Sequence, residues 1–359
     1  MIWALLAIVI TLILVVGVHE AGHALAAKLF GVKIKRIAIG FGKPLLSYHD
    51  KSGREWVWAL WPLGGYVHLL NSRIEPVPEK DYPSLCFDKK PVWQRCIILM
   101  SGALANLFMA WAALTLLFML GSQQQKPLVQ KVFSQSIASQ AGLKARDRFV
   151  EIAGWKTSSW QEVGMSLVMV LGKKNVPVWV SNEEETLRKV NLDLSQWHYK
   201  RKDTLLSALG IEAAPSQLST YHAVGQSFQM AVRHAFEHIL YLLTFFVMML
   251  KQLFTGMIPF SVLLGPLGLF SASITSFLQG TAVFLSFIAS LSLAVGFVNL
   301  FPIPGLDGGS IVYALLEKIR GKPVSVAVEV LLYRLAFIVF AMLLIQLFMN
   351  DLQRYLMSS

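Results

Sequence analysis

Residues 2–18, IWALLAIVITLILVVGV, carry one hydroxyl and no charge. Seventeen helical residues rise about 25 Å, slightly short of the ~30 Å hydrocarbon core of a bilayer. No basic residue precedes Lys28, so the run lacks the n-region of a signal peptide. It predicts a transmembrane helix continuing through His19, Glu20 and His23 to about Phe30. Further spans are predicted at 96–121, behind Arg95, at 281–301, and at 335–349, between Arg334 and Asp351. The apolar run Ile239–Leu250 has only twelve residues, which suits an interfacial or re-entrant segment better than a crossing. The expected fold is a polytopic α-helical membrane protein with four transmembrane helices.

Between the first two spans the pattern changes period. IKRIAIGFG, PLLSYHD, REWVWALW and GGYVHLL, within 34–69, read as strands separated by Gly, Pro and Asp-Lys-Ser-Gly turns. They predict a membrane-associated β-sheet directly after the first span. Residues 71–91 are rich in Pro and charge and read as loop. Residues 122–215 hold strand-like pieces (LVQKVF, VPVWVS, RKVNLDL), a helical piece near 160–171 and the run QAGLKARDRFVEIAG. They predict an inserted α+β module. The chain thus divides into a first membrane half (1–121), the module (122–215), an amphipathic or interfacial linker (216–280) and a second membrane half (281–359).

Composition agrees with this mixture. Of the residues 55% are hydrophobic and 15% charged, against roughly 45–50% and 25% in soluble domains. Net charge is +11, from 32 Lys and Arg against 21 Asp and Glu. Its placement explains it. Residues 28–95 carry 12 Lys and Arg, and Lys318, Arg320, Lys322 and Arg334 follow the third span. The positive-inside rule puts both stretches in the cytoplasm. Both termini and the module then lie outside, periplasmic in a bacterial inner membrane. The basic charge is topological, and no nucleic-acid partner is expected. Cys86 and Cys96 form no CxxC and predict plain thiols.

His19-Glu20-Ala21-Gly22-His23 is an H-E-x-x-H motif. On a helix the two His lie about one turn apart on one face, so both imidazoles can reach one metal ion. Glu20 stands beside them as a general base for water. Ionisable residues at the end of an apolar helix are costly in a bilayer and are functional candidates. Catalytic zinc usually takes three protein ligands. His49, His68, His198, His222, His234 and His238 are available, but Asp307 is the stronger third ligand. It follows Asn299-Leu300-Phe301-Pro302-Ile303-Pro304-Gly305-Leu306, where prolines and glycine break the third span. Such backbone is tolerated at membrane depth only where it is buried or lines a cavity. Topology allows the pairing. Both spans run inward if 122–280 begins and ends outside.

HEAGH on the first span and NLFPIPGLDGG near the end of a later one resemble the site-2 protease family of intramembrane zinc metalloproteases. The likeness is greatest to its regulator-of-sigma-E branch and covers nearly the whole chain. GFGKPLLSYHDKSGREWVWALWPLGGYVHL resembles the family's membrane-associated β-region, FDKKPVWQRCIILMSGALANLF its second-helix signature, and AGLKARDRFVEIAG a PDZ domain. The resemblance implies a Zn2+ ion held by His19, His23 and Asp307, with Glu20 activating water. It implies substrate contact at Asn299, beside Pro302 and Pro304. Asn106 would contact substrate or tie helices together. The partners implied are the lipid bilayer and a single-span membrane protein, of anti-sigma-factor type after a first cleavage, with remnant signal peptides a further substrate class. The chain departs in having room for one PDZ domain instead of a tandem pair, in Ser310 after LDGG, and in Ala103 where Pro is common. A catalytically silent PDZ scaffold could dispense with Glu20 or Asp307, yet both are kept. A zinc transporter would need acidic or His residues along several spans, and 96–121 and 335–349 have none.

Overall fold

The computed structural model describes residues 2–51, 53–74, 76–77, 84–182, 184–199 and 204–358. Part of the loop expected at 71–91 (75 and 78–83) therefore lies outside the described residues. The long helices are α1 (Ile2–Leu29), α2 (Val92–Leu120), α3 (Trp160–Val170), α4 (Phe228–Phe254), α5 (Pro266–Leu278), α6 (Thr281–Asn299), α7 (Asp307–Arg320) and α8 (Val326–Ser358). Two compact units form, one from residues 1–116 and 264–359, the other from 117–263.

In the first unit, α1 is continuous but contains a π-turn at Ile13–Gly17. A π-turn adds a residue to one turn and is often found at functional sites. Here it rotates the His19–His23 face relative to the first eleven residues. Helices α1 and α2 meet backbone to backbone. A β-carbon on Gly22 would collide with the Ser101 carbonyl and lie 2.8 Å from Ala105 Cβ. Small residues at helix crossings permit this approach, and close packing is the main attraction between helices in lipid. Polar ties secure the other helices. Thr11 Oγ1 and Ser273 Oγ lie 2.8 Å apart between α1 and α5. Arg95 pairs with Glu317 at 3.0 Å between α2 and α7.

Two long strands, β1 (Ile34–His49) and β2 (Glu55–Leu69), follow α1 and pair antiparallel. Each is bent, so the pair builds four strand segments. Residues 36–39 pair with 65–68 on one side and 55–58 on the other, and 44–49 pair back onto 55–59. Gly40 takes a φ of +92° near the bend, where a β-carbon would also press on the Ala59 and Trp61 carbonyls. The four strands expected from sequence are all present. Segment 44–49 is an edge.

The second unit is the α+β module. Its four-stranded sheet has the order Trp155–Lys156, Arg148–Ile152, Val176–Ser181, Leu187–Leu192, with α3 packed on its core. The core includes Phe149, Ile152, Leu167, Val178 and Leu192, each at most 1% exposed. Helix α4 belongs to it as well. Its Leu253 joins the core cluster, Tyr241 Oη donates to Glu162 O at 3.0 Å, and Gln252 Nε2 donates to Leu171 O at 3.1 Å at the end of α3.

Span lengths differ from expectation. Six helical stretches among the described residues are long and apolar enough to cross a membrane: Ile2–Leu29, Val92–Leu120, Phe228–Phe254, Phe260–Leu278, Thr281–Asn299 and Val326–Leu356. The twelve-residue run Ile239–Leu250 is the middle of a 27-residue helix. Arg233, His234, Glu237 and His238 interrupt its apolar run without interrupting its buried stripe of Ala231, Ala235, Ile239 and Leu242. Residues 260–278, within the expected linker, also form a helical stretch. The last helix reaches 33 residues where fifteen were expected.

Candidate active site

The H-E-x-x-H residues occupy the C-terminal part of α1 and are almost fully buried, with His19 and Glu20 6% exposed and His23 8%. Asp307 reaches them from the far end of the sequence. Helix α6 stops at Asn299, the chain turns through 300–306 with Gly305 at a φ of +98°, and α7 begins at Asp307 itself. Asp307 is therefore the first residue of the helix and not its cap. The two glycines after it let the first turn of α7 sit on the loop. A β-carbon on Gly308 would collide with the carbonyl oxygens of Leu300 and Phe301, and one on Gly309 with that of Ile303.

Three donor atoms converge. Asp307 Oδ2 lies 3.2 Å from His19 Nε2 and 3.2 Å from His23 Nε2, and the two Nε2 atoms lie 3.2 Å apart. Despite this proximity the buried Oδ2 has no hydrogen-bond partner among the described residues. Atoms aimed at a common centre behave this way. A tetrahedral ion with bonds of ~2.0–2.1 Å places its ligand atoms roughly 3.3 Å apart. The triangle therefore has the size a zinc ion requires. Among the described residues it is the one group of three His, Cys, Asp or Glu side chains that could hold a metal. The other six histidines join no such group, and both cysteines are free thiols.

The surrounding atoms orient the donors. His23 Nδ1 lies 2.7 Å from the Ile98 carbonyl, which can only accept, so Nδ1 carries the proton and Nε2 keeps its lone pair. His19 Nδ1 is 3.3 Å from the side-chain amide of Asn106, which is fully buried. Gly102 of α2 lies against both imidazoles. Glu20 is held on its other side by the sheet. A β-carbon on Gly65 would sit 2.9 Å from Glu20 Cγ, so the strand backbone lies directly against the Glu20 side chain. Glu20 also borders a cavity of about 770 Å³ between α1 and the sheet, walled by Leu25, Ile39, Leu46, Tyr48 and Trp58. The cavity adjoins the edge segment 44–49.

Sequence reasoning missed Ile98, Gly102 and Gly65. The glycines left a signal: one inside a helix, as Gly102 is, costs about 1 kcal/mol relative to alanine and calls for a packing reason, and one inside a strand, as Gly65 is, marks a bulge or a close approach. The Ile98 contact is made by main chain and leaves none. Asn299, Pro302 and Pro304 lie in or at the start of the loop that delivers Asp307. Asn299 is half-buried, and its side chain makes no hydrogen bond among the described residues.

Residues 7–344 match Peptidase family M50. The chain belongs to this family. Its M50 relatives include the regulator of sigma-E protease RseP of Escherichia coli, 28% identical over 98% of this chain and 99% of that protein. The regulator of sigma E protease of Haemophilus influenzae is 28% identical over the same shares. A putative zinc metalloprotease of Vibrio cholerae is 26% identical, again over 98% and 99%. The alignment with the E. coli protein runs over 446 positions, 87 more than this chain has residues. That relative therefore carries at least 87 residues which this M50 chain lacks.

Proposed function

We propose that the chain is a zinc-dependent intramembrane endopeptidase of site-2 type, a multi-pass protein of the bacterial inner membrane that cleaves single-span membrane proteins. The observation that carries this reading is the 3.2 Å triangle of His19, His23 and Asp307 donors with Glu20 beside it. His19, His23 and Asp307 would hold the ion. When bound, zinc supplies Lewis acidity to the scissile carbonyl and lowers the pKa of water.

The remaining work falls to the protein. Glu20 takes the proton of the attacking water and returns it to the leaving amine. The sheet packs against its side chain at Gly65. The cavity beside Glu20 has apolar walls suited to the side chains of a membrane segment. A substrate helix hides its amides in its own hydrogen bonds and must be opened. The edge segment 44–49 offers main-chain partners for an opened strand, and Asn299 offers a free amide. The substrate class is a single-span protein of anti-sigma-factor type, already trimmed outside, and remnant signal peptides fit the same chemistry. The 117–263 unit is read as one PDZ domain with its accompanying helix, placed outside with both termini. The relatives' additional residues agree with a second such domain in them.

Glu20→Gln tests the mechanism. The amide is isosteric but cannot take the proton. The variant should bind zinc like wild type while cleavage of a trimmed single-span substrate falls about 10²–10⁴-fold. Near-wild-type turnover would remove Glu20 from the reaction.

A further inference from the structure

Asn106 sits in the middle of α2, 0% exposed, with its amide 3.3 Å from His19 Nδ1. Its Oδ1 is buried and has no hydrogen-bond partner among the described residues. The side chain is not needed to join α2 to α6. That tie runs from Ser292 Oγ to the Asn106 main-chain carbonyl, at 3.0 Å. A buried amide therefore spends its side chain on one contact, the back of the His19 ring.

We infer that Asn106 is a positioning residue for the metal, holding His19 in the tautomer whose Nε2 lone pair faces His23 and Asp307. The inference rests on the zinc reading above. A neutral imidazole carries one proton, and whichever nitrogen holds it cannot ligate. For His23 the Ile98 carbonyl settles the matter, since it only accepts. For His19 no backbone group among the described residues lies within hydrogen-bond reach of Nδ1, and the Asn106 amide takes that place. An amide can act in both senses. With Nδ2 toward the ring it donates to Nδ1, and the proton resides on Nε2. After a half-turn of the amide, the unpartnered Oδ1 accepts the Nδ1 proton and Nε2 is freed. Asn106 can thus partner His19 with or without a metal, which neither an apolar residue nor a carboxylate could do.

The substitutions separate acceptance from shape. Asn106→Leu keeps the volume and removes the hydrogen bond. Asn106→Asp keeps an acceptor and removes the donor. Loss of an outer partner of a ligating histidine typically weakens metal binding by about 10–100-fold. The full chain in detergent, stripped of metal, would be titrated with zinc against a chromophoric chelator. The expected result is a weakening of about 10–100-fold for Asn106→Leu and recovery to within a few-fold of wild type for Asn106→Asp. Asn106→Ala provides the same loss should leucine disturb the fold, which a thermal melt of the metal-free protein reports. Wild-type affinity in the leucine or alanine variant would overturn the inference, as would equal loss in leucine and aspartate variants. Failure of the wild-type chain to bind zinc would instead overturn the metal reading itself.

Discussion

Gly102 packs against His23 with no room for a side chain: a β-carbon on it would collide with the imidazole Nε2 and lie 2.8 Å from His19 Cε1. The second helix therefore forms a wall of the proposed metal site, and its missing methyl group leaves room for both rings beside Asp307. Gly102→Ala should raise the intrinsic helix propensity of α2 by about 1 kcal/mol. It should nonetheless displace the ligands. A shift of about 1 Å at reacting groups costs on the order of 100-fold in rate. The variant is expected to fold, to bind zinc more weakly, and to cleave at most about 1% as fast as wild type. Metal titration and a cleavage assay check this together, and unaltered zinc affinity would show that the rings do not need the space.

Asp307→Ala removes the one proposed ligand supplied from outside the first helix. His19 and His23 alone leave two positions of a tetrahedral ion to water, whereas three protein ligands are usual in catalytic sites. Zinc content of the purified variant should fall well below one ion per chain, with cleavage lost. His19→Ala and His23→Ala should do the same. Full zinc occupancy in Asp307→Ala would exclude the carboxylate as a ligand.

These residues were legible in the sequence because chemistry singles them out. Two His and a Glu at helical spacing in an apolar run, and an Asp among prolines and glycines, are costly enough to imply a purpose. The β-segments were legible from their turns. The length of α4 was not. Arg233 and Glu237 cut its apolar run to twelve residues, while its buried stripe continues past them onto the module core. Unbroken hydrophobicity measures contact with lipid or a dry core on all sides, and a helix packed on one face does not need it. The support of His23 escaped notice for another reason. It is the main-chain carbonyl of Ile98, and any residue supplies one.

Asp351 binds two ends of the membrane unit together. Its carboxylate accepts from the Gly265 and Gly268 amides, each at 2.9 Å, at the N-terminus of α5, and it is 6% exposed. A β-carbon on Gly268 would fall 2.8 Å from its Oδ1. Helix α5 in turn reaches α1 through Ser273 and Thr11. A hydrogen bond to a charged group contributes about 1.5–3 kcal/mol, and losing this acceptor leaves buried amides unpaired. Asp351→Ala should destabilise the protein by about 3 kcal/mol, read as a lower thermal midpoint in detergent. Asp351→Asn, which keeps one acceptor oxygen, should recover part of the loss. An unchanged midpoint in the alanine variant would show that water or lipid replaces the carboxylate.

The module should govern which substrates reach the site and take no part in bond cleavage, since among the described residues of 122–215 no His, Asp or Glu joins a metal-capable group. If it excludes bulk, a chain without it should accept substrates whose external domains are still attached. The pairing register indicates how to remove it. Gln125 and Thr220 face each other across an antiparallel pair, so replacing 126–219 by Asn-Gly closes a two-residue hairpin without stretching the chain. Leu253 and Ile258 would lose the core they pack in, and Leu253→Ser with Ile258→Ser limits the exposed apolar surface. The excised chain should bind zinc, cleave a trimmed single-span substrate at close to the wild-type rate, and also cleave the untrimmed form that wild type rejects. A chain that binds zinc yet cleaves neither form would show that the module delivers substrate or helps to assemble the site, and the exclusion role would be wrong.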